Sequence, residues 1–171
     1  PGTSRDHTER FLRRFGYLVE AEENVIHFAP TGAIEPFDQE IPGDPSSAAF
    51  VIGAALLAGA GEVSIADVCC NPGRTGWLDV IARMNAPVEV ADRDESEMEP
   101  VGTLVGGTGE LEATDVEANE VPGVIDEIPL LACLAARASG KSTFRGLGEL
   151  RVKESDRVSM LAANLKAVGV K

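Results

Sequence analysis

Apolar positions along the chain fall into two kinds of pattern. Residues 46–60 and 124–138 are apolar on nearly every side. Each run is about 15 residues, short of the roughly 20 needed to cross a bilayer, so both predict buried helices. The first has a defined start, with Asp44 as N-cap and Pro45 at the first helical position. It runs to about Ala58, where Gly59 and Gly61 break it. Near the end of the chain Val158, Leu161, Leu165 and Val168 recur at helical spacing and predict a stripe facing a core. Short alternating stretches predict strands at 17–20, 25–28, 37–41, 62–66, 88–91, 103–105, 110–113 and 142–145. Residues 92–100 are acidic without apolar periodicity and read as an exposed turn. Helices alternating with two or three strands give an α/β class with mixed sheets.

The elements repeat. Gly61-Glu-Val-Ser-Ile-Ala-Asp-Val68 and Gly140-Lys-Ser-Thr-Phe-Arg-Gly-Leu147 each follow an apolar helix. Each reads as a glycine, then a short strand, then a polar turn (71–76 and 149–156), then an amphipathic helix. The second helices end alike, and a third relative, Phe11-Leu-Arg-Arg-Phe-Gly-Tyr-Leu-Val19, stands at the start. The alignment puts Phe15, Met84 and Leu165 in one place, giving three copies of a unit, the first and last incomplete.

Charge and cysteine content narrow the function. A formal net charge of −13 argues against nucleic acid or an anionic membrane as partner. It also makes the basic group Arg151, Lys153 and Arg157 conspicuous. Cys69, Cys70 and Cys133 have neither disulfide nor Cys-x-x-Cys spacing and read as free thiols in a reducing cytoplasm. His7 and His27 stand far from them in sequence, so no metal site is expected. Residues 1–10 are polar and charged, without a targeting signal.

The chemistry-bearing run is Leu150-Arg-Val-Lys-Glu-Ser-Asp-Arg157. A helix beginning here would put Lys153 and Arg157, four apart, on one face of its first turns. Cations oppose the dipole at a helix N-terminus, and an anion bound there would relieve the conflict. Glu154 between them is placed to give or take a proton. The same spacing also fits a solvated helix start, with Glu154, Asp156 and Arg157 in local ion pairs. Spacing alone does not choose between the two.

This run resembles a signature segment of the 5-enolpyruvylshikimate-3-phosphate synthases. Gly43-Asp-Pro-Ser-Ser-Ala-Ala-Phe50 is similar to that family's crossover between two lobes. Asn71-Pro-Gly-Arg-Thr-Gly76 resembles its Asn-Pro-x-Arg-Thr-Gly turn. Ser4-Arg-Asp-His-Thr-Glu9 and Ile125-Asp-Glu-Ile-Pro129 also match, in order and at compatible spacing. The resemblance implies repeated βαβαββ units of the enolpyruvyl transferase fold, an inside-out α/β barrel, incomplete in this chain. Residues 1–43 would be the end of one lobe and 44–171 the first part of the other.

The implied reaction joins phosphoenolpyruvate to the 5-hydroxyl of shikimate 3-phosphate and releases phosphate, without metal or cofactor, on the way to aromatic amino acids. By resemblance Asp126 contacts the shikimate hydroxyls and serves as base, although an acid before an apolar helix also fits an N-cap. Lys153 would stand at the reacting hydroxyl, Glu154 would move protons at the methylene carbon, and Arg157 would lie on the phosphoenolpyruvate side. Arg5 matches an arginine that some members place on the shikimate phosphate; a surface arginine is the alternative. Glu149 stands where some relatives carry a substrate-touching asparagine. Arg74 reads as a brace for its turn, and Ser46 and Ser47 as part of the crossover and helix start. The family's N-terminal lysine, glycine-rich loop and C-terminal cations have no counterpart here, so the chain is expected to be an internal fragment, inactive without the missing parts of its parent. Two rivals stand beside this reading. One is the sister transferase acting on UDP-N-acetylglucosamine; the other is a non-catalytic binding domain built from the same repeat.

Overall fold

The computed structural model describes residues 5–22, 25–30, 32–95 and 98–170. Ser4, residues 96–97 of the acidic stretch and the terminal Lys171 therefore lie outside the described residues. Helix α1 (His7–Arg14) leads into a hairpin of β1 (Leu18–Glu22) and β2 (Val25–Ala29), paired antiparallel with Val19 opposite Phe28. Val19 is its buried side chain, while Leu18, Val25, Ile26 and Phe28 are each about half exposed. Residues 37–41, expected as a strand, form no strand and carry no ladder. Phe37 instead packs on Phe11 and Phe15, with ring centroids 5.6 and 4.4 Å away.

The main core lies beyond Gly43. Asp44 caps α2 (Pro45–Leu57) by accepting from the Ser47 backbone N–H at 2.9 Å, with Pro45 opening the helix as its sequence requires. α2 lies on a three-stranded antiparallel sheet of β3 (Glu62–Cys69), β4 (Val88–Asp94) and β5 (Val101–Gly107), in the order β3-β5-β4. Helix α3 (Gly76–Arg83) follows β3. Next come the short strand β6 (Asp115–Val116), helices α4 (Val121–Val124) and α5 (Ile128–Ala135), and β7 (Thr143–Phe144). β6 pairs parallel with β7 in a two-stranded sheet of its own, so both kinds of pairing occur but, against expectation, no one described sheet mixes them. A 3-10 helix (Leu147–Arg151) and α6 (Arg157–Ala167) complete the order. Ile52, Trp77, Ile81, Met84, Leu104, Ile128, Leu131, Leu134 and Leu150 fill one continuous core. α2 and α5 pack closely because Gly53 has no side chain: a Cβ there would stand 2.4 Å from Leu130 Cδ1. Among the described residues no helix is long and apolar enough to cross a membrane.

The repeat is written into the backbone. Gly61 and Gly140 share φ values of 109° and 107°. Six residues on, Asp67 (φ 56°) and Gly146 (φ 73°) are both left-handed, a conformation costly for most side chains. α1, α3 and α6 end at Phe15, Met84 and Val168, each followed by a left-handed residue: Gly16, Asn85 and Gly169. Val168, rather than Leu165, is thus the third member of that set. The sequence alignment slipped because Leu165 matched Met84 in character but not in distance from the helix end.

Several other expectations are corrected. The apolar run 124–138 is not one helix: α4 ends at Val124, 125–127 is a turn and α5 covers only Ile128–Ala135, because Pro129 lacks an N–H and its ring would meet the carbonyl four residues back in a continuous helix. Residues 110–113 make only a single bridge, Glu112 to Ser139, and β6 was not anticipated. The acidic stretch is not wholly exposed, since Glu99 and Pro100 are buried. The stripe on α6 has no core to face: Val158 packs against the edge, Leu161 and Leu165 are half-buried and Val168 is exposed.

Candidate active site

The break between α4 and α5 leaves Ile125, Asp126 and Glu127 as a turn. Asp126 does not cap α5 with its side chain; Glu127 holds the cap position, and no side-chain cap bond forms. The Asp126 carboxylate instead faces two arginines. Arg5 Nη2 approaches Oδ2 at 2.6 Å and Arg157 Nη1 approaches Oδ1 at 3.9 Å. Arg157 Nη2 donates to Glu154 Oε2 at 2.7 Å. Four of the five residues singled out in the sequence, Arg5, Asp126, Glu154 and Arg157, are therefore linked in space, although Arg5 and Asp126 are 121 positions apart. Lys153, next in sequence to Glu154, pairs with Glu149 at 3.1 Å.

The expected helical face does not exist. α6 starts at Arg157, because Asp156 accepts from Ser159 N at 2.9 Å and from Ser159 Oγ at 2.7 Å. Lys153 and Glu154 lie in the bend before it, held by the 3-10 turn whose Leu150 is buried. Arg157 alone meets the helix N-terminus, beside Asp156. Glu154 is largely exposed, and its carboxyl sits below the usual range, first through its own backbone N–H and then through Arg157.

Two polar groupings outside the expected site residues hold this region. Arg74 Nη2 bridges Asp44 Oδ1 at 2.6 Å and Ser46 Oγ at 3.1 Å, bracing the turn against the start of α2. A small cleft lined by Arg5, Arg74, Asp126 and Glu127 lies beside it. Glu127 is buried and its carboxyl is pushed up, chiefly by desolvation.

On the other side Asn71, fully buried, donates to Asp6 Oδ1 at 2.7 Å and to Glu99 Oε2 at 2.8 Å, and accepts from Gly73 N at 2.8 Å. Glu99 also meets His7 Nδ1 at 2.6 Å, and Arg10 Nε donates to Asp6 at 2.9 Å. Burial raises the Asp6 carboxyl, but the bonds from Asn71 and Arg10 outweigh it, and the net direction is down. This network fixes Asp6, and with it the neighbouring Arg5. Adjacent acids in Ile125-Asp-Glu and an asparagine opening the turn at Asn71 were the signals available in the sequence.

A family model described as EPSP synthase (3-phosphoshikimate 1-carboxyvinyltransferase) matches residues 1–171, the whole chain. The chain belongs to this family. Among its EPSP synthase relatives, a 3-phosphoshikimate 1-carboxyvinyltransferase of Lactiplantibacillus plantarum is 44% identical over 170 residues, which is 98% of this chain and 39% of the relative. One from a strain of Thermus thermophilus is 43% identical, covering 99% of this chain and 40% of the relative. A solved EPSP synthase of Acinetobacter baumannii superposes with a TM-score of 0.89 at 37% identity, over 97% of this chain and 38% of that one. The α/β fold of the EPSP synthases is therefore present, without a closed barrel. The chain spans about two fifths of the length of the curated relatives it matches.

Proposed function

We propose that this chain supplies part of the active site of an enolpyruvyl transferase that moves the enolpyruvyl group of phosphoenolpyruvate to the 5-hydroxyl of shikimate 3-phosphate, releasing phosphate. The observation that carries this reading is the chain of contacts Arg5–Asp126–Arg157–Glu154, which gathers distant residues of the family's motifs at one turn. Asp126 takes the proton of the attacking hydroxyl, with Lys153 beside that hydroxyl. Glu154 exchanges a proton with the methylene carbon during addition and elimination. Arg157 steadies the anionic charge of phosphoenolpyruvate and Arg5 the phosphate on the shikimate ring, in the planar geometry that guanidinium offers. The acids that pair with these arginines keep the cations oriented until the substrates' own anions arrive.

In the same reading, residues 1–43 belong to one lobe and 44–171 to the other, with Arg5 reaching across. Free thiols at Cys69, Cys70 and Cys133 agree with a reducing, cytoplasmic setting. The names of the relatives favour shikimate 3-phosphate over the UDP-sugar of the sister branch. Phosphate release by the full-length protein, assayed with phosphoenolpyruvate and either acceptor, tests this. Turnover with shikimate 3-phosphate is expected, reduced by about a hundredfold or more in Asp126→Asn. Turnover with the UDP-sugar alone, or an unimpaired Asp126→Asn, would overturn it. A scaffold reading predicts no turnover with either.

A further inference from the structure

Glu99 is an acid to which the proposed chemistry assigns no step, yet only 6% of it is exposed. A carboxyl so deep carries a desolvation cost that an apolar side chain avoids, so its partners show what it does. Oε1 meets His7 Nδ1 at 2.6 Å. Oε2 accepts from Asn71 Nδ2 at 2.8 Å and from Cys69 Sγ at 3.9 Å, and lies 3.9 Å from Arg10 Nε. His7 and Arg10 stand on the first turn of α1; Cys69 ends β3 and Asn71 opens the turn after it. Asn71 adds a second tie to the same place through Asp6 Oδ1 at 2.7 Å. No residue of α1 is buried, and Phe11 and Phe15 pack on Phe37 of their own segment. Apolar burial therefore does not direct the start of α1, and this polar joint does.

Arg5 leads directly into that turn. Its side chain is 49% exposed, so packing does not place it, and its tip is held by Asp126 at 2.6 Å. An incoming phosphate competes with Asp126 for the same guanidinium. Once the phosphate has taken that place, Arg5 depends on its anchored backbone. We infer that Glu99 is a positioning residue for Arg5: with Asn71 it pins the first turn of α1 to the end of β3 and so sets the guanidinium where the phosphate of shikimate 3-phosphate binds. The inference rests on the transferase reading. It makes Glu99 specific to one substrate, because Arg157, on the phosphoenolpyruvate side, is carried by α6 and touches none of these groups.

The test uses the full-length protein, with kcat and KM measured for both substrates in Glu99→Ala, Arg5→Ala and the double variant Glu99→Ala/Arg5→Ala. A misplaced phosphate ligand weakens binding of its own substrate more than it slows chemistry. Glu99→Ala is therefore expected to raise KM for shikimate 3-phosphate about tenfold, with KM for phosphoenolpyruvate and kcat within about threefold of wild type. The double variant is expected to match Arg5→Ala within about threefold, since Glu99 acts through Arg5. An unchanged KM for shikimate 3-phosphate in Glu99→Ala, an equal rise in both KM values, or rises that multiply in the double variant would each overturn the inference. If Glu99→Ala does not fold, His7→Ala takes its place: it cuts one link at a partly exposed side chain and leaves Glu99 its bond from Asn71. Its KM for shikimate 3-phosphate is expected to rise about threefold or more, and the rise to vanish in the Arg5→Ala background; no rise overturns the inference. An inactive wild type, or an Arg5→Ala that binds shikimate 3-phosphate unimpaired, would instead overturn the reading of the site on which it rests.

Discussion

Replacing Asn71 with leucine removes the hub of the polar network beneath Arg5. The two side chains share a branched outline of four heavy atoms, so the change chiefly removes hydrogen bonds, with leucine the bulkier of the two. Three are lost: to Asp6, to Glu99 and from Gly73 N–H. The first two end on carboxylates, and hydrogen bonds to charged groups contribute about 1.5–3 kcal/mol each. Glu99 is buried and keeps His7 Nδ1, so its loss is partial, and Asp6 keeps Arg10. Leucine returns about 1–2 kcal/mol by burying apolar area. The net expectation is a destabilisation of about 2–4 kcal/mol, or roughly 5–15 °C in Tm for a chain of this size. Urea unfolding followed by the fluorescence of Trp77, the sole tryptophan and itself fully buried, measures it. Asn71→Asp should be worse near neutral pH, because it sets a third carboxylate against Asp6 and Glu99, and should recover part of the loss as the pH falls towards about 4. An Asn71→Leu variant within about 0.5 kcal/mol of wild type, below the smallest loss these bonds allow, would refute the reasoning. So would an Asn71→Asp variant no less stable than Asn71→Leu near neutral pH.

Other outcomes follow from the same structure. Gly53→Ala should cost about 1–3 kcal/mol, because its Cβ would meet Leu130 at 2.4 Å, and Leu130→Ala in the same chain should recover part of that; chemical denaturation of both variants decides it. The Asp6 and Asp44 carboxyls lie below their ordinary value of 3.8, so their contribution is complete above that value and is lost as the pH falls through the lower folded values. Glu127 has the opposite sign: raised above 4.5, it binds its proton more tightly folded than unfolded, so stability declines as the pH rises from 4.5 towards its folded value. Urea midpoints against pH should show both slopes, with the second absent in Glu127→Gln. The 171-residue chain alone, assayed with both substrates, should release no phosphate, since too few cations are present for two polyanionic ligands; measurable turnover would refute that.

Local physics made much of this legible in the residues alone. Asp44-Pro45 fixed the start of α2 because a capping acid and a proline favour that one position whatever packs around them. The glycines at 61 and 140 marked equivalent strand starts because only a residue without a side chain adopts their φ at little cost. Five ordered motifs identified the family and named four residues that meet in space.

Distance along the chain hid the rest. No local pattern indicates that Arg5 crosses to Asp126, or that Asn71 joins Asp6 to Glu99, since those bonds exist only once the residues leading into α1 lie against the turns after β3, β4 and α4. The supposed shared face of Lys153 and Arg157 failed for a related reason. Spacing of four means one face only inside a helix, and the cap at Asp156 together with buried Leu150 put the helix start at Arg157. Sequence supplied the side chains and the stops; packing decided which acids face which cations, because a carboxylate's partner is set by what the folded chain brings within hydrogen-bond reach.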